Sequence, residues 1–473
     1  MARILVAGAG FSGHYAALVL RRKLRGSHHH ITVVSPRDTF VYYPSLIWVG
    51  IASMKSAETQ FPLEPVYKRK GIEWIQGKVT EVFPDNRRVM VDTGNDQLRS
   101  EAYDYLILAT GPKLNFAATP GLGPHGGHTH SVCLPEHATE TAQHYLEEVG
   151  RMQKGEHRTF VIGTGHGTCT CQGAAFEYIM NVHNDLKVRG LRDKARIVWH
   201  SNEPKLGDFG IDGLEVNRGG ELFTSEMMLQ ALFADAGIEY QIQSHIHRIE
   251  EKTIYTETLD GQLRELNYDF AMLLPPFRGQ DITFRDGQGN ALPDVLTNPA
   301  GFVKVDANYG KPYAELDGPD WPKTYQNPVY TNIYAVGIAF APPGPISQPA
   351  TSPNGTVIAP APPRTGYTAE LSGKAAALNI VDQLANRPQS HTASMAETPG
   401  LCIASIRDSA FAGSAATIAI HPVVRNRQKY PGTGRDLKLC TAEVGLAGAW
   451  IKRSLQYSFL YKLQGKPFWH LIP

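Results

Sequence analysis

The sequence predicts an α/β fold built on two Rossmann-like domains. A short apolar strand runs into a glycine-rich turn and then a helical segment over Arg3–Arg25, and the same layout recurs over Phe160–Tyr178. A strand, a glycine turn and a helix in this order present backbone N–H groups to a pyrophosphate, as dinucleotide-binding domains do. The chain has 473 residues, of which 42% are hydrophobic. This is enough for two or three domains with their own cores.

Composition excludes several classes of function. The net charge of +1 gives no electrostatic argument for binding nucleic acid or another acidic partner. No stretch of about 18 uninterrupted apolar residues occurs, so a membrane-spanning helix is not expected. The opening MARILVAGAG enters a strand pattern at once, so we expect no cleavable signal peptide. Five cysteines in a chain of this length do not suggest a disulfide framework and are interpreted as redox or catalytic groups.

The first glycine turn has the full dinucleotide-binding spacing. The segment RILVAGAGFSG places three glycines in G-x-G-x-x-G order, Gly8, Gly10 and Gly13. A helix is predicted over His14–Arg25 and a second strand over Ile31–Val34. The residue expected to hold the ribose is Ser35 rather than Asp or Glu. This argues against NAD and favours flavin adenine dinucleotide, FAD.

The second glycine turn is altered. Thr168 occupies the place of the third glycine, and Cys169 and Cys171 lie where the following helix begins. A helix N-terminus favours anions, so we expect it to lower the pKa of Cys171 and to produce a nucleophilic thiolate. The turn is therefore predicted to serve sulfur chemistry in place of NAD binding.

Two further apolar strands, Tyr105–Gly111 and Val329–Gly337, end in Ala-Thr-Gly and Ala-Val-Gly. In this respect the chain resembles flavoproteins with two dinucleotide domains, in which such strands bracket an inserted second domain. Those flavoproteins have Asp after the last glycine, where this chain has Ile338.

Histidines cluster in two places, at His28–His30 and around GPHGGHTH, which contains His125, His128 and His130. Imidazole is a common metal ligand. Neither cluster has a Cys or a carboxylate at ligand spacing, so we predict solvated loops and no metal site.

The tail, Gly445–Pro473, is predicted to form a helix as far as Lys462, with Gly465 and Pro467 as stop signals. Trp450, Tyr457 and Tyr461 form one apolar stripe, and Ile451, Leu455 and Phe459 form a second. Two stripes with lysines and arginine beside them favour a helix lying in a membrane interface. The alternative is a helix buried between domains.

Six segments narrow the resemblance to the sulfide:quinone oxidoreductases. They are YLILATGPKLNF (105–116), SVCLPEHA (131–138), CQGAAFEY (171–178), SNEPKLGDFGIDG (201–213), PPRTGY (362–367) and LCIASIRDSAFA (401–412). The resemblance implies an FAD-binding domain of residues 1–112 and 310–395 and a second Rossmann-like domain of residues 113–309. Residues 396–473 would then form a C-terminal region with Cys402, a quinone pocket and an amphipathic membrane helix.

The resemblance also implies the site. Cys171 and Cys402 match a redox-active pair beside the flavin, and Cys133 matches a third cysteine. Glu177 and His137 match acid/base candidates. The predicted quinone residues are Lys452, Leu455, Phe468 and Trp469. The predicted FAD contacts are Gly8, Gly10, Gly13, Ser35, Pro44, Thr110, Gly111, Gly337 and Ile338.

Two departures from the family pattern stand out. Asp208 replaces a family histidine, which puts any proton-transfer role of that histidine in doubt, and Arg364 replaces a lysine. Arginine keeps the charge of lysine but has a different geometry.

The expected function is FAD-dependent oxidation of sulfide to sulfane sulfur or polysulfide, with electrons passed through the flavin to membrane ubiquinone or menaquinone. Two alternatives remain: the flavin subunit of a sulfide dehydrogenase that donates to a cytochrome, and a sulfane-sulfur-binding flavoprotein without turnover. A type II NADH:quinone oxidoreductase is disfavoured by Thr168. We expect a peripheral, monotopic membrane protein, and the oligomeric state, a homo-oligomer included, stays open.

Overall fold

A computed structural model describes residues 1–94, 97–292 and 296–472. The α-helices of this part of the chain are α1 (Phe11–Lys23), α2 (Leu46–Gly50), α3 (Leu63–Lys70), α4 (Pro135–Gln153), α5 (Gln172–Val188), α6 (Ser225–Ala236), α7 (Gly366–Leu384) and α8 (Leu446–Leu463).

The first sheet is parallel and five-stranded. Its first strand is buried apart from one end, which explains its continuous apolar run, since parallel sheets are covered on both faces. Segments from both ends of the chain contribute to it. In spatial order its strands are Ile333–Ala335, Tyr105–Leu108, Arg3–Ala7, His30–Ser35 and Glu73–Gln76.

The second sheet is also parallel, with four strands. In spatial order they are Ile238–Gln241, Ala195–His200, Arg158–Thr164 and Phe270–Leu274. Strand Arg158–Thr164 leads through the second glycine turn into α5. The α/β fold with two Rossmann-like units is therefore confirmed, and the exact domain boundaries stay a prediction.

Smaller sheets complete the molecule. The larger ones contain Thr283–Phe284, Lys78–Phe83, Arg88–Asp92 and Leu98–Ala102; Ser244–Glu250, Thr253–Thr258 and Leu263–Asn267; and Gly400–Arg407, Ser414–Ile420 and Thr441–Gly445. The two-stranded ones pair Thr39–Val41 with Gln60–Pro62, Lys113–Leu114 with Phe277–Arg278, Glu215–Arg218 with Glu221–Thr224, and Ala350–Thr351 with Val357–Ile358.

Element boundaries differ from the sequence predictions by a few residues. Helix α1 begins three residues before His14, because the glycine turn passes directly into helical backbone. Two strands are shorter than predicted: Tyr105–Leu108 ends before the Ala-Thr-Gly turn, and Ile333–Ala335 begins after Val329. Within the described ranges, every helix is too short or too polar to cross a lipid bilayer.

Candidate active site

The glycine turn after Arg3–Ala7 leaves room for a dinucleotide at the start of α1. Gly8 has a φ of 114°, and a Cβ there would overlap the carbonyl oxygen of Ala109, so this position requires glycine. A Cβ on Gly13 would overlap the carbonyl oxygen of Gly8, and its absence lets α1 pack closely on the strand. A Cβ on Gly10 would meet nothing within 4 Å. The open, positively polarised end of α1 therefore fits a pyrophosphate.

The other predicted FAD contacts lie at strand ends and in one turn. Ser35 is buried, and its hydroxyl donates to the carbonyl oxygen of Arg37 at 2.8 Å and accepts from Trp74 Nε1 at 3.1 Å. One acceptor lone pair remains for a ribose, and this contact stays a prediction. Thr110 and Gly111 follow Tyr105–Leu108, Gly337 and Ile338 follow Ile333–Ala335, and Pro44 lies in the short turn Tyr43–Ser45.

Cys171 caps the N-terminus of α5. Its φ of 66° is in the left-handed region that non-glycine residues rarely adopt. A buried amide pair holds the loop before it. Asn202 Nδ2 donates to the carbonyl oxygens of Gly167 at 3.0 Å and Cys169 at 3.1 Å, and Gln172 Nε2 donates to Asn202 Oδ1 at 2.9 Å. The strained backbone at Cys171 is therefore fixed from both sides.

Cys402 comes from strand Gly400–Arg407, which packs on the beginning of α5. A Cβ on Gly173 would lie 3.5 Å from Cys402 Sγ. Gly173 is two residues after Cys171, so both thiols predicted to act together lie at the N-terminal end of α5. The two thiols also interact electrostatically, because a thiolate at Cys171 raises the pKa of Cys402. Both are free thiols here, and a disulfide between them stays a prediction.

One expectation about Cys171 is wrong: its pKa is raised, not lowered. Burial of the thiol has the largest effect, because it favours the neutral form. Hydrogen bonds from the Thr170 side chain and the Arg364 backbone, together with the Arg364 charge, lower the pKa by less. Desolvation therefore outweighs the effect of the helix N-terminus in this surrounding.

Cys133 and His137 lie at the beginning of α4. Burial raises the pKa of Cys133 to about 12, and the charge of Cys171 contributes to that rise, so the third thiol belongs to the same neighbourhood. Burial lowers the pKa of His137. The His137 ring centroid lies 5.5 Å from that of His125, and its Nδ1 has no hydrogen-bond partner among the described residues. His137 is therefore a buried imidazole, and its acid/base role stays a prediction.

Glu177 of α5 and Lys452 of α8 form a buried ion pair. Lys452 Nζ donates to Glu177 Oε2 at 2.9 Å, and both side chains are 7% exposed. The pair faces Cys402: the charge of Lys452 lowers the pKa of Cys402, the charge of Glu177 raises it, and burial, the largest effect, leaves it at about 11. Glu177 is therefore a buried carboxylate and not a surface residue.

Three residues around Glu177 were missed by sequence reasoning. Ser405 Oγ donates to Glu177 Oε1 at 2.7 Å and accepts from Trp48 Nε1 at 3.0 Å and Asn181 Nδ2 at 2.8 Å. Asn181 follows Glu177 by one helical turn, a spacing that could have indicated a shared face. Trp48 and Ser405 come from distant segments, and no local signal points to them.

The four predicted quinone residues do not share one surface. Lys452 is buried, and Leu455 packs half-buried near Ile403. Phe468 is exposed, whereas Trp469 is buried with its ring centroid 5.8 Å from that of Tyr15. Their contacts with a quinone stay a prediction.

An aromatic cluster lies between α8 and the start of α1. The ring of Phe459 lies 5.9 Å from the ring of Phe11 and 5.9 Å from the ring of Tyr42, measured between centroids. The charge of Glu177 acts on the hydroxyl of Tyr42 and contributes to its raised pKa. The cluster therefore connects the glycine turn of α1 with the Glu177–Lys452 pair.

The second glycine turn is covered by the proline-rich segment of residues 342–363. The Ala359 backbone N–H donates to the carbonyl oxygen of Gly167 at 2.8 Å, and a Cβ on Gly167 would overlap the carbonyl oxygen of Val357. Glu257 anchors the segment by accepting from Asn354 Nδ2 at 3.1 Å. The chain itself thus fills the place where a dinucleotide would approach this turn.

Asp208, which replaces the family histidine, is buried. Its Oδ1 accepts from the Gly210 backbone N–H at 2.9 Å and from the hydroxyl of Ser347. Burial raises its pKa to about 6, and burial together with the Asp208 charge raises the pKa of Glu203 to about 8. Two neighbouring buried carboxyls therefore avoid carrying two full charges at neutral pH.

The histidine clusters have structural partners. His29 Nδ1 accepts from the Ala2 backbone N–H at 3.1 Å, and the His130 ring stacks on Phe270 with centroids 4.8 Å apart. Within residues 1–94, 97–292 and 296–472, no group of three or more His, Cys, Asp or Glu side chains is arranged to hold a metal ion.

The chain is similar in sequence to a known protein family. A family model described as pyridine nucleotide-disulphide oxidoreductase matches residues 2–308. The chain belongs to this family. The pyridine nucleotide-disulphide oxidoreductase fold, together with the cradle around Gly10, identifies FAD as the cofactor, as the sequence predicted.

Two relatives and one solved structure show a more specific similarity. The chain is 28% identical to a sulfide-quinone reductase of Aquifex aeolicus over 98% of its own length and 91% of the relative's. It is 22% identical to a mitochondrial sulfide:quinone oxidoreductase of Mus musculus over 71% of its length and 64% of the relative's. The X-ray structure of the Aquifex aeolicus sulfide:quinone oxidoreductase superposes with a TM-score of 0.77 at 26% identity, covering 98% of this chain and 92% of that one. The resemblance seen in the six sequence segments is confirmed.

Proposed function

We propose that this family member is a sulfide:quinone oxidoreductase that works through Cys171 and Cys402. The observation that carries the proposal is the meeting of these two thiols at the start of α5, beside a buried ion pair from α5 and α8. FAD, when bound, supplies a two-electron acceptor for this pair and a donor toward quinone.

The cysteine pair supplies the sulfur chemistry. When the two sulfurs are joined in a disulfide, hydrosulfide attacks one of them, a new S–S bond forms, and the old one breaks. One cysteine then carries a persulfide and the other leaves as a thiolate. Sulfide is oxidised to sulfane sulfur in this step, and the two electrons stay on the cysteines. Lengthening the chain to polysulfide requires the pair to lose two electrons for each further sulfur, and FAD, when bound, would supply the acceptor for them.

Charged side chains stabilise the leaving thiolate. The ammonium of Lys452 favours the thiolate at Cys402, and Arg364 favours it at Cys171 through its charge and a backbone hydrogen bond. Because both thiols are buried, their neutral forms have an advantage that these cations partly offset. His137 and Glu177 are the groups proposed to take up and deliver protons.

The quinone would approach along α8. The lysines of this helix face the protein, whereas Trp450, Tyr457 and Tyr461 are exposed. Trp450 Nε1 donates to the carbonyl oxygen of Ala410 at 2.8 Å, and the Tyr461 hydroxyl donates to that of Pro467 at 3.0 Å. The residues that follow these two acceptors in the chain, Phe411 and Phe468, are also exposed. We call the five the aromatic face: Phe411, Trp450, Tyr457, Tyr461 and Phe468.

A helix with its lysines inward and three aromatic rings outward fits a lipid interface, where aromatic side chains are favoured. We therefore propose peripheral, monotopic attachment through the aromatic face. Quinone would enter from the bilayer and pass Lys452 and Leu455 toward the aromatic cluster of Phe459.

Anaerobic titration of the holoenzyme tests the proposal. Sulfide is expected to bleach the flavin absorbance, and decylubiquinone is expected to restore it. Cys171→Ser and Cys402→Ser should each abolish bleaching by sulfide. Cys440→Ala is the control, because this buried thiol accepts only a backbone hydrogen bond from His421 at 3.4 Å and belongs to another part of the fold.

The alternatives give different results. Bleaching by NADH but not by sulfide would contradict the proposal. Bleaching by sulfide without reoxidation by quinone would favour a sulfide dehydrogenase that donates to a cytochrome, or a sulfane-sulfur carrier without turnover. Full sulfide activity in Cys171→Ser would show that the wrong thiol was assigned.

A further inference from the structure

Ser405 is the centre of a buried hydrogen-bond network. Its hydroxyl donates to Glu177 Oε1 at 2.7 Å and accepts from Trp48 Nε1 at 3.0 Å and from Asn181 Nδ2 at 2.8 Å. Asn181 Nδ2 also lies 2.7 Å from the carbonyl oxygens of Glu177 and Ser405, so its two hydrogens are shared among three acceptors. Because the Trp48 indole only donates and a carboxylate oxygen only accepts, the proton of the Ser405 hydroxyl is directed toward Glu177.

This arrangement divides the Glu177 carboxylate between two donors. Oε1 receives the Ser405 hydroxyl, and Oε2 receives Lys452 Nζ at 2.9 Å. A carboxylate with a donor on each oxygen is fixed in rotation. Asn181 belongs to α5 and Ser405 to the strand of Cys402, so the network also fixes the distance between these two elements.

The charge of Glu177 acts on Cys402. The charged and titratable groups that act on this thiol are Lys452 from α8, Glu177 from α5 and Cys171 at the cap of α5. Lys452 favours the thiolate, and the other two oppose it. The position and charge of Glu177 therefore decide how much of the Lys452 charge Cys402 experiences.

We propose that Ser405 is a positioning residue of the sulfide reaction: with Trp48 and Asn181 it holds the Glu177 carboxylate against Lys452, and it thereby sets the electrostatic environment of Cys402. The inference rests on the proposed function for its catalytic meaning. The hydrogen-bond network and its effect on Cys402 involve only residues of this chain.

The test is the pH dependence of Cys402 alkylation in the reduced holoenzyme, followed by iodoacetamide labelling and peptide mass spectrometry. In Ser405→Ala the Glu177 carboxylate loses the donor on Oε1 and is free to turn both oxygens toward Lys452. The carboxylate then offsets more of the Lys452 charge that favours the Cys402 thiolate. We expect the alkylation midpoint of Cys402 to move to higher pH by roughly half a unit.

Two variants separate positioning from packing. Ser394→Ala removes an equally buried hydroxyl that accepts only from the Ala396 backbone N–H at 3.2 Å, and it should leave the midpoint unchanged. Ser405→Thr keeps the hydroxyl and should restore the parent midpoint. If either Ser405 variant fails to fold, Trp48→Phe removes the donor to Ser405 Oγ and should give a smaller shift in the same direction.

The proposal is overturned if folded Ser405→Ala shows an unchanged or lower midpoint, or if Ser394→Ala shifts it equally. Alkylation needs neither sulfide nor quinone. A failure of the proposed function would appear in the flavin titration and leave this result untouched, whereas a failure of the positioning role would appear only here.

Discussion

The ammonium of Lys452 lies 2.9 Å from a carboxylate oxygen of Glu177, although 275 residues separate the two in the chain. Both side chains are 7% exposed, so the pair is almost removed from water. It joins the C-terminal helix α8 to α5, the helix that begins at Cys171. One interaction therefore connects the region proposed to meet quinone with the region proposed to bind sulfur.

Removal of one member of this pair should destabilise the protein. Lys452→Met keeps the length of the side chain but leaves the Glu177 carboxylate without its cation, and breaking a buried pair in this way costs about 3–5 kcal/mol. We expect a lower midpoint of thermal unfolding in the holoenzyme. The double variant Glu177→Gln with Lys452→Met removes both charges and should recover most of the loss. Equal midpoints for the single and double variants would contradict a coupled pair.

The N-terminus of α1 should bind the FAD pyrophosphate in the open space beside Gly10, which has no side chain to fill it. A Cβ on Gly10 would touch no protein atom within 4 Å, so Gly10→Ala should fold normally. The methyl group would instead meet the cofactor, and we expect FAD to bind about tenfold more weakly, a loss of ~1.4 kcal/mol. Fluorescence titration of the apoprotein with FAD measures this.

Gly150 in α4 supplies the control, because a Cβ there also has nothing within 4 Å. Gly150→Ala should leave FAD affinity unchanged and stabilise the helix by up to about 1 kcal/mol. Unaltered FAD affinity in Gly10→Ala would show that the cofactor does not approach this turn.

Buried Glu203 should make stability depend on pH. Its pKa rises from 4.5 to about 8, chiefly because of burial, so the folded state holds a proton that the unfolded state has released. The folded state thus binds more protons between these values, and its stability falls as pH rises through this window. Glu203→Gln has no proton to lose. Its thermal midpoint relative to the parent should increase from pH 5 to pH 9.

Exposed Glu239, which pairs with Arg196 at 2.7 Å, gives the comparison for that experiment. Glu239→Gln should keep a nearly constant offset from the parent across this range, since exposed pairs contribute little. A pH-independent offset for Glu203→Gln would mean that Glu203 is ionised in the folded protein at neutral pH.

The sequence was most informative about features that depend on local backbone geometry. Gly8 and Gly13 are constrained by close contacts within one turn and Gly10 leaves space beside it, so their spacing alone predicted the cradle. Apolar runs such as Tyr105–Leu108 predicted buried parallel strands for the same reason. The resemblance to sulfide:quinone oxidoreductases then indicated which two thiols are expected to act as a pair.

The sequence could not predict the balance between opposing effects on a pKa. It also could not predict which face of a helix is buried. The pKa of Cys171 depends on burial as well as on the helix terminus, and burial depends on the elements that pack around it. Two apolar stripes were visible on α8, but only its packing shows that Leu455 and Phe459 lean inward while Tyr457 is exposed. Ser405 carried no pattern at all, because its partners come from other segments.

The aromatic face should bind lipid bilayers. Trp450 and Tyr461 are held in place by hydrogen bonds to backbone carbonyls, and Phe411 and Phe468 are 94% and 73% exposed. A triple variant, Phe411→Glu with Tyr457→Glu and Phe468→Glu, removes apolar groups worth about 1.5 kcal/mol or more each at an interface. Co-sedimentation with phospholipid vesicles should therefore weaken on the order of a hundredfold or more.

A matched triple variant tests whether the loss is specific to this surface. Leu98, Leu222 and Leu263 are exposed on strands remote in sequence from α8, and their replacement by Glu adds the same charge. This control should sediment with vesicles as the parent does. If the aromatic face is also the entrance for quinone, its triple variant should lose turnover with vesicle-bound ubiquinone. It should keep turnover with the short-chain, more water-soluble ubiquinone-1, because only the lipid-soluble substrate requires contact with the bilayer. Unchanged sedimentation of the aromatic-face variant would assign membrane binding to another surface.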